Sequence, residues 1–289
     1  MTRASQNPGP VTPQTLPQPD PSAAQLINLG KVALVDGESS VLLGPGKPLA
    51  LLTYLRSIPG QSATREHLTD LLWADSAPSL GRQALRQTLT RLRQVLGDDA
   101  IQADREEVAL SIQIPQDRAS FLDAIERNNL PDAVTLYTGS FFPGFGTTGS
   151  IRFEHWADAE RAYLLGLFLR AGESLARRHL AREPQEALQI ARMLNDQASE
   201  SESTGRLMLQ AALAAGETVL AQSLADQLAS SIKDADRTPE PATTRLIFLA
   251  REQFAAPEQR TGSGRLTADL VGREREFAAV VTAWSTAPG

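Results

Sequence analysis

The sequence predicts a mainly α-helical protein with a small β part. Short apolar runs separated by turn residues occupy 24–43, and three amphipathic segments followed by a polar-tipped hairpin pattern occupy 47–112. From residue 117 onward the signals for strands disappear and helical periodicity dominates. Periodicity of apolar positions is the main local signal for secondary structure, so these three observations define the predicted fold class.

The β part is predicted at the start of the folded chain. Apolar runs at 26–27, 32–35 and 41–43 are separated by Asn28, Gly30, Asp36-Gly37 and Ser39-Ser40. Runs of this length between turn residues are typical of short strands joined by tight turns. We therefore expect a small β-sheet before the first helix.

Three helices follow, over about 47–58, 64–73 and 79–96. The third places four leucines on one stripe, Leu85, Leu89, Leu92 and Leu96, and Gly97 is suited to end it. The apolar runs 100–103 and 108–112 flank a polar tetrapeptide and predict a β-hairpin. A sheet, three helices and a hairpin in this order predict a winged helix-turn-helix over 24–114.

The C-terminal part predicts a tetratricopeptide-like all-α domain over 115–254. A 34-residue offset relates Ala187, Ile190, Ala191 and Leu194 to Ala221, Leu224, Ala225 and Leu228. This period is that of tetratricopeptide helix pairs, although alanine-rich helices often match by chance. Pro184 and Gly216, which lie just before the second helix of each predicted pair, strengthen the assignment.

The two ends of the chain differ from these domains. Residues 1–23 hold six prolines and few apolar groups, which predicts a disordered tail, with a proline-rich docking peptide as the alternative. Residues 255–289 begin as a polar linker.

Composition restricts the class of protein. The chain has no Cys and no apolar run of the roughly 20 residues that span a membrane, and it begins without a secretory signal pattern, so we expect a cytoplasmic protein. The net charge is −6, and residues 24–114 hold nine basic against ten acidic side chains. Any contact with nucleic acid must therefore come from a local cluster of basic side chains and not from the overall charge.

The third predicted helix carries the candidate site. Its charged residues are all arginines, and Arg82, Arg86, Thr90 and Arg93 recur on a face away from the leucines, with glutamines beside them. Arginine can form two hydrogen bonds to guanine and glutamine two to adenine, which favours a helix in the major groove of double-stranded DNA. The alternative is an ordinary solvated helix face. The predicted base-reading residues are Arg82, Gln83, Arg86, Gln87, Thr90 and Arg93.

Other basic residues are predicted to hold the DNA backbone. Arg91 lies on the same helix, and Lys47 and Arg65 begin the first two helices, where backbone N–H groups favour phosphate oxygens. Arg105 at the hairpin tip is a candidate for the minor groove, although Asp104, Glu106 and Glu107 surround it and would repel phosphates.

Enzymatic chemistry is not expected. His67, His155 and His179 lack metal-ligand spacing, so we predict no metal. The run Gly44-Pro45-Gly46-Lys47 has Pro48 where a phosphate loop needs Ser or Thr, so we predict no nucleotide or other cofactor.

A family resemblance extends over about residues 25–254. The segments "GKPLALLTYLRSIPGQSATREHLTDLLW" and "RQALRQTLTRLRQVLG" resemble the DNA-binding domain of the Streptomyces antibiotic regulatory protein type of activators. The segments "AVTLYTGSFFPGF", "FEHWADAERAYL" and "ESTGRLMLQAALAAGE" resemble the bacterial transcriptional activator domain that follows it. The acidic hairpin tip departs from the glycine-containing turn that is usual in the family.

The resemblance implies a transcriptional activator that binds direct repeats near promoters and recruits RNA polymerase holoenzyme. A homodimer on DNA is left open, and no membrane partner is expected. The segment "DLVGREREFAAVVTAW" (269–284) is similar to the region before the phosphate loop of regulatory ATPases. Two alternatives therefore remain, a helical-repeat module for protein interaction and the N-terminal fragment of an ATP-regulated transcription factor.

Overall fold

The computed structural model describes residues 24–144 and 150–255, with side chains as far as residue 252. The fold is mainly α-helical with two small antiparallel sheets, as predicted. The described chain forms two compact units, unit 1 (24–119, 141–144 and 150–159) and unit 2 (120–140 and 160–255). The predicted proline-rich tail and the ATPase-like segment lie outside the described residues.

Unit 1 begins with the predicted sheet. Strands β1 (Gln25–Ile27), β2 (Ala33–Val35) and β3 (Val41–Leu43) pair in the order β1-β2-β3, with Leu26 opposite Leu34. Leu26 and Leu34 are fully buried. Asp36 closes the β2–β3 turn, because its Oδ1 accepts hydrogen bonds from the backbone N–H groups of Glu38 and Ser40 at 3.0 and 2.8 Å.

Three helices follow, α1 (Lys47–Ser57), α2 (Arg65–Trp73) and α3 (Pro78–Leu96). Their bounds differ from the predicted ones by one residue at most. Thr64 caps α2 by accepting from the backbone N–H of His67. Gly97, at φ +97°, ends α3 in a conformation that favours glycine. The four predicted leucines of α3 are at most 2% exposed, which confirms the inward face of this helix.

The hairpin after α3 is part of a three-stranded sheet. Strands β5 (Ile101–Ala103) and β6 (Glu107–Leu110) form the predicted hairpin, and β4 (Ser62–Thr64), immediately before α2, pairs with the other side of β6. Strand β4 was not predicted, because Ser62–Thr64 contains no apolar run of the kind that indicated the other strands. The order of elements is that of a winged helix, and we call the β5–β6 hairpin the wing.

Unit 1 is larger than the predicted segment 24–114. Its N-terminal part also binds residues beyond 114, since the Asp117 carboxylate accepts hydrogen bonds from the backbone N–H groups of Asn28 and Leu29 at 2.8–2.9 Å. The Trp156 ring packs edge-on against Tyr54, with centroids 5.0 Å apart. Burial raises the pKa of Asp117, and the backbone donors oppose that shift. That residues 115–254 form a separate tetratricopeptide-like domain stays a prediction.

The described part of unit 2 is all helical. Helices α4 (Asp117–Glu126), which starts in unit 1, and α5 (Leu130–Leu136) precede the long α6 (Ile151–His179), of which residues 160–179 belong to this unit. Helices α7 (Pro184–Gln197), α8 (Glu202–Ala214), α9 (Thr218–Asp234) and α10 (Pro241–Ala255) then pack in sequence. No described helix is both long enough and apolar enough to cross a membrane.

A glycine–leucine contact recurs within unit 2. A Cβ added to Gly172 would overlap the side chain of Leu194, and one added to Gly205 would lie 2.9 Å from Leu228 Cδ1. The two glycines are 33 residues apart and the two leucines 34. The same close approach of two helices thus occurs at nearly the spacing of the sequence repeat, which supports a repeated helix pair.

We predict that Gly172→Ala destabilises unit 2. Alanine favours helix by up to about 1 kcal/mol, but overpacking against a buried leucine costs about 1 to 3 kcal/mol. The matched control is Gly166→Ala in the same helix, where the nearest atom to an added Cβ is the flexible Arg170 Nη1 at 3.5 Å. Urea denaturation followed by circular dichroism should show a lower midpoint for Gly172→Ala alone. Equal midpoints for the two variants would contradict the close contact.

Candidate nucleic-acid interface

The site is the outward side of α3, which we call the α3 outer face. It is opposite the buried leucines, so the amphipathic pattern of the helix determines its orientation. The predicted residues Gln83, Arg86, Gln87, Thr90 and Arg91 are exposed on this face, and Arg82 is exposed at the start of the helix, nearer to the leucine stripe. Gln94, near the end of the helix, is exposed as well. The structure therefore brings five of the predicted site residues together on one surface.

The α3 outer face is uncharged in the middle and basic at its edges. At 3.6 residues per turn, Gln83, Gln87, Thr90 and Gln94 lie farthest from the leucine stripe. Arg86 flanks them on one side and Arg91 on the other. A helix in the major groove has bases in front of it and phosphates at both sides, so this layout matches the amides to base edges. The arginines at the two sides are suited to a phosphate or to a guanine at the border of the groove.

The arginines of this face are available to a ligand. Helix α3 contains no acidic residue, and no carboxylate within the described chain forms an ion pair with Arg82, Arg86 or Arg91. Thr90 differs, because its hydroxyl donates to the backbone oxygen of Arg86 at 3.1 Å. Its methyl group is thus the part left for an apolar contact.

Arg93 does not project outward, contrary to the expectation from sequence. It is half-buried, and its Nε and Nη2 atoms donate to the backbone oxygen of Ile101 at 3.1 and 2.9 Å. Arg93 lies at the edge of the leucine stripe, and the chain turns back after Gly97 to place β5 beside it. The arginine therefore joins α3 to the wing, and its predicted part in base reading has no support in this geometry.

Arg65 and Lys47 are also engaged within the protein. Arg65 Nε donates to the backbone oxygen of Asp104 at 2.7 Å, which ties the start of α2 to the wing tip. Lys47 Nζ lies 5.2 Å from the centroid of the Trp73 ring, a cation–π arrangement. Burial lowers the pKa of Lys47, and the nearby Asp75 partly opposes this. Both side chains remain partly exposed, so their contact with phosphates stays a prediction.

The acidic wing tip is a folded turn. Asp104 Oδ1 accepts hydrogen bonds from the backbone N–H groups of Glu106 and Glu107 at 2.8 and 2.7 Å. These bonds hold the pKa of Asp104 below its usual value. Glu107 in turn accepts from the Ser62 hydroxyl at 2.7 Å. The aspartate thus closes the turn without a glycine, and Arg105 is exposed beside it.

The histidines have separate environments. The His67 ring lies 2.7 Å from the Tyr54 hydroxyl. His179, however, is hydrogen-bonded to Glu183, and these two residues and Glu186 place ligand-type atoms within 4.8 Å of one another. This cluster was not predicted, although the spacings of four and three residues around a helix start could have indicated it. Its carboxylates are exposed, and exposed acidic groups are common in proteins without a metal. We therefore assign no metal ion to the cluster.

The comparisons with known proteins concern part of the chain and the fold. No protein-family model matches the chain. Over 99 residues, 32% of this chain, it is 31% identical to the regulatory protein AfsR of Streptomyces griseus, and the match covers only 10% of that protein's length. The solved structure of Mycobacterium tuberculosis EmbR in complex with a low-affinity phosphopeptide is similar, with a TM-score of 0.60 and 14% identity. That likeness covers 91% of this chain and 70% of EmbR, and it shows the fold alone.

We predict that Arg93→Ala loosens the wing. Removing a charged donor to a partly buried carbonyl costs about 1.5 to 3 kcal/mol, so amide exchange in β5 and β6 should accelerate at least about tenfold. Exchange in β1–β3 should not change. The control is Arg91→Ala, which removes an exposed arginine of the same helix. Hydrogen–deuterium exchange measures the effect, and unchanged wing protection in Arg93→Ala would show that the bond is unimportant.

Proposed function

We propose that the protein is a sequence-specific, DNA-binding transcriptional activator. The observation that carries this proposal is the α3 outer face. It presents exposed arginines and glutamines on a helix that contains no acidic residue. This surface occurs in a chain of net charge −6, so it is a local feature and not a consequence of composition. The partial likeness to a bacterial regulatory protein and the shared winged-helix fold agree with this function.

Double-stranded DNA fits this surface better than double-stranded RNA. The major groove of B-DNA is wide enough to admit an α-helix, whereas the major groove of A-form RNA is too narrow for side chains to read. Helix α3 has 19 residues, enough to lie across such a groove. In a winged helix, the helix before the wing is the element that enters the groove, which is the position of α3.

The proposed roles follow the layout of the face. Gln83, Gln87 and Arg86 read base edges, Arg91 at the border of the face holds a phosphate, and Arg82 at the start of the helix holds another. Lys47 and Arg65 add backbone contacts with the part of their side chains that remains exposed. Arg93 acts as a positioning residue, since it fixes the wing to α3. The carboxylates around Arg105 keep the wing tip from approaching phosphates closely.

We further propose that unit 2 supplies the activator function. In this proposal the chain belongs to the Streptomyces antibiotic regulatory protein type, and helices α6–α9 form tetratricopeptide-like pairs. The protein binds promoter direct repeats and recruits RNA polymerase holoenzyme, with a homodimer on DNA as one arrangement. The recurring glycine–leucine contacts support the helix pairs, and the partial likeness to a regulatory protein supports a regulatory role. The promoter repeats, the polymerase and the homodimer are what the family resemblance implies.

We predict that Arg86→Ala weakens DNA binding. If Arg86 reads a guanine, affinity for a duplex selected from a random-sequence pool should fall about 5- to 150-fold, with little change for unselected DNA. If it holds a phosphate instead, all duplexes should bind less well, and the slope of log affinity against log salt should fall by about 0.9. Fluorescence anisotropy over a salt series measures both effects.

The control for this experiment is Arg178→Ala, which removes an exposed arginine of α6 in unit 2. It should bind the selected duplex as the unchanged protein does. Equal affinity of Arg86→Ala and the unchanged protein for every duplex would contradict the assignment of the α3 outer face.

A second candidate function is a helical-repeat module for protein interaction. It is favoured by large apolar side chains on the surface of unit 2, where Phe248 is 59% and Val219 73% exposed. The two functions differ in the ligand that the purified chain binds, either a DNA duplex or another protein. Selection of a specific duplex by the purified chain supports the DNA-binding proposal, whereas capture of a protein without any duplex binding supports the second candidate.

A further inference from the structure

Leu80, in the first turn of α3, is exposed without a reason within the fold. Its side chain is 60% exposed, and it is the only large apolar side chain exposed on this fully described helix. The residue beside it, Gly81, is buried, and a Cβ added there would lie 2.7 Å from Thr69 Cγ2. Gly81 takes the inward position where α2 and α3 meet, and Leu80, one residue earlier, is turned by about 100° from that position.

Leu80 lies in line with the glutamines of the α3 outer face. Leu80, Gln83 and Gln87 follow one another at i, i+3 and i+7, which places them on one side of the helix. Thr90, one turn further on, presents its methyl group, because its hydroxyl is bound to the Arg86 carbonyl. The row therefore has two amides between two apolar groups, and it carries no charge.

This chemistry corresponds to one kind of base pair. In the major groove an A·T pair presents the C5-methyl group of thymine next to the N7 acceptor and N6 donor of adenine. A G·C pair has no methyl group, and guanine lacks the adjacent acceptor and donor with which adenine forms two hydrogen bonds to one glutamine amide. Resting on the proposed function, we propose that Leu80 contacts a thymine C5-methyl group and that Gln83 and Gln87 read adenines in the adjacent pairs. Arg86, at the border of the row, then reads a flanking guanine.

A protein partner fits Leu80 less well. Docking surfaces are contiguous apolar patches of several hundred square ångströms. Leu80 is a single apolar side chain whose neighbours in the row are glutamines, and no other exposed large apolar residue lies on α3. An isolated methyl-bearing side chain beside amides is suited to a base edge, where a methyl group and polar groups also lie side by side.

The test removes the same methyl contact from each side of the interface. A duplex is first selected from a random-sequence pool with the full chain, and each thymine is then replaced in turn by deoxyuridine, which lacks only the C5-methyl group. At one thymine the replacement should weaken binding of the unchanged protein about fourfold, the effect expected for one buried methyl group. Leu80→Ala should bind the thymine duplex more weakly and show no further loss with deoxyuridine there.

The control is Val41→Ala, which shortens an apolar side chain of strand β3 that is 64% exposed. This variant should retain the full deoxyuridine effect. An equal deoxyuridine effect in Leu80→Ala and the unchanged protein, or no effect at any thymine, would overturn the role of Leu80 while duplex selection still supports DNA binding. Failure to select any duplex would instead overturn the proposed function together with this inference.

Discussion

The burial of one leucine stripe determines the orientation of the proposed site. Leu85, Leu89, Leu92 and Leu96 are almost completely removed from solvent, and burying four leucines stabilises a domain by about 6 to 12 kcal/mol before opposing terms. Turning α3 about its axis would expose them, and no hydrogen bond of the outer face offsets such a loss. The arginines and glutamines are therefore held outward by the core behind them.

The wing depends on the same helix through polar contacts. Arg93 joins α3 to β5, and Arg65 joins α2 to the wing tip, while Asp104 closes the tip by accepting two backbone N–H groups. Two basic residues that sequence alone placed on DNA are thus used to hold the hairpin in place. This arrangement leaves Arg82, Arg86 and Arg91 as the exposed arginines of α3, a helix without acidic residues.

Much of the fold could be predicted because the helices of unit 1 follow local rules. Apolar spacing, the threonine cap of α2 and the glycine after α3 gave bounds within one residue of those observed. Strand β4 was not predicted, because it has no apolar run and forms only through its long-range pairing with β6. The attachment of Asp117 to Asn28 likewise has no local pattern. In the site, the exposure of Arg86 and Gln87 could be predicted from the leucine stripe. The direction of the Arg93 side chain could not, because it depends on the position of β5, whose Ile101 carbonyl accepts from Arg93.

We propose above that α3 occupies the major groove of B-DNA. Dimethyl sulfate protection tests it directly, since the reagent methylates guanine at N7 in the major groove and adenine at N3 in the minor groove. On a duplex selected by the full chain, we expect the bound protein to protect a guanine N7 within the selected sequence from methylation. Protection confined to adenine N3, with every guanine N7 as reactive as in free DNA, would contradict it.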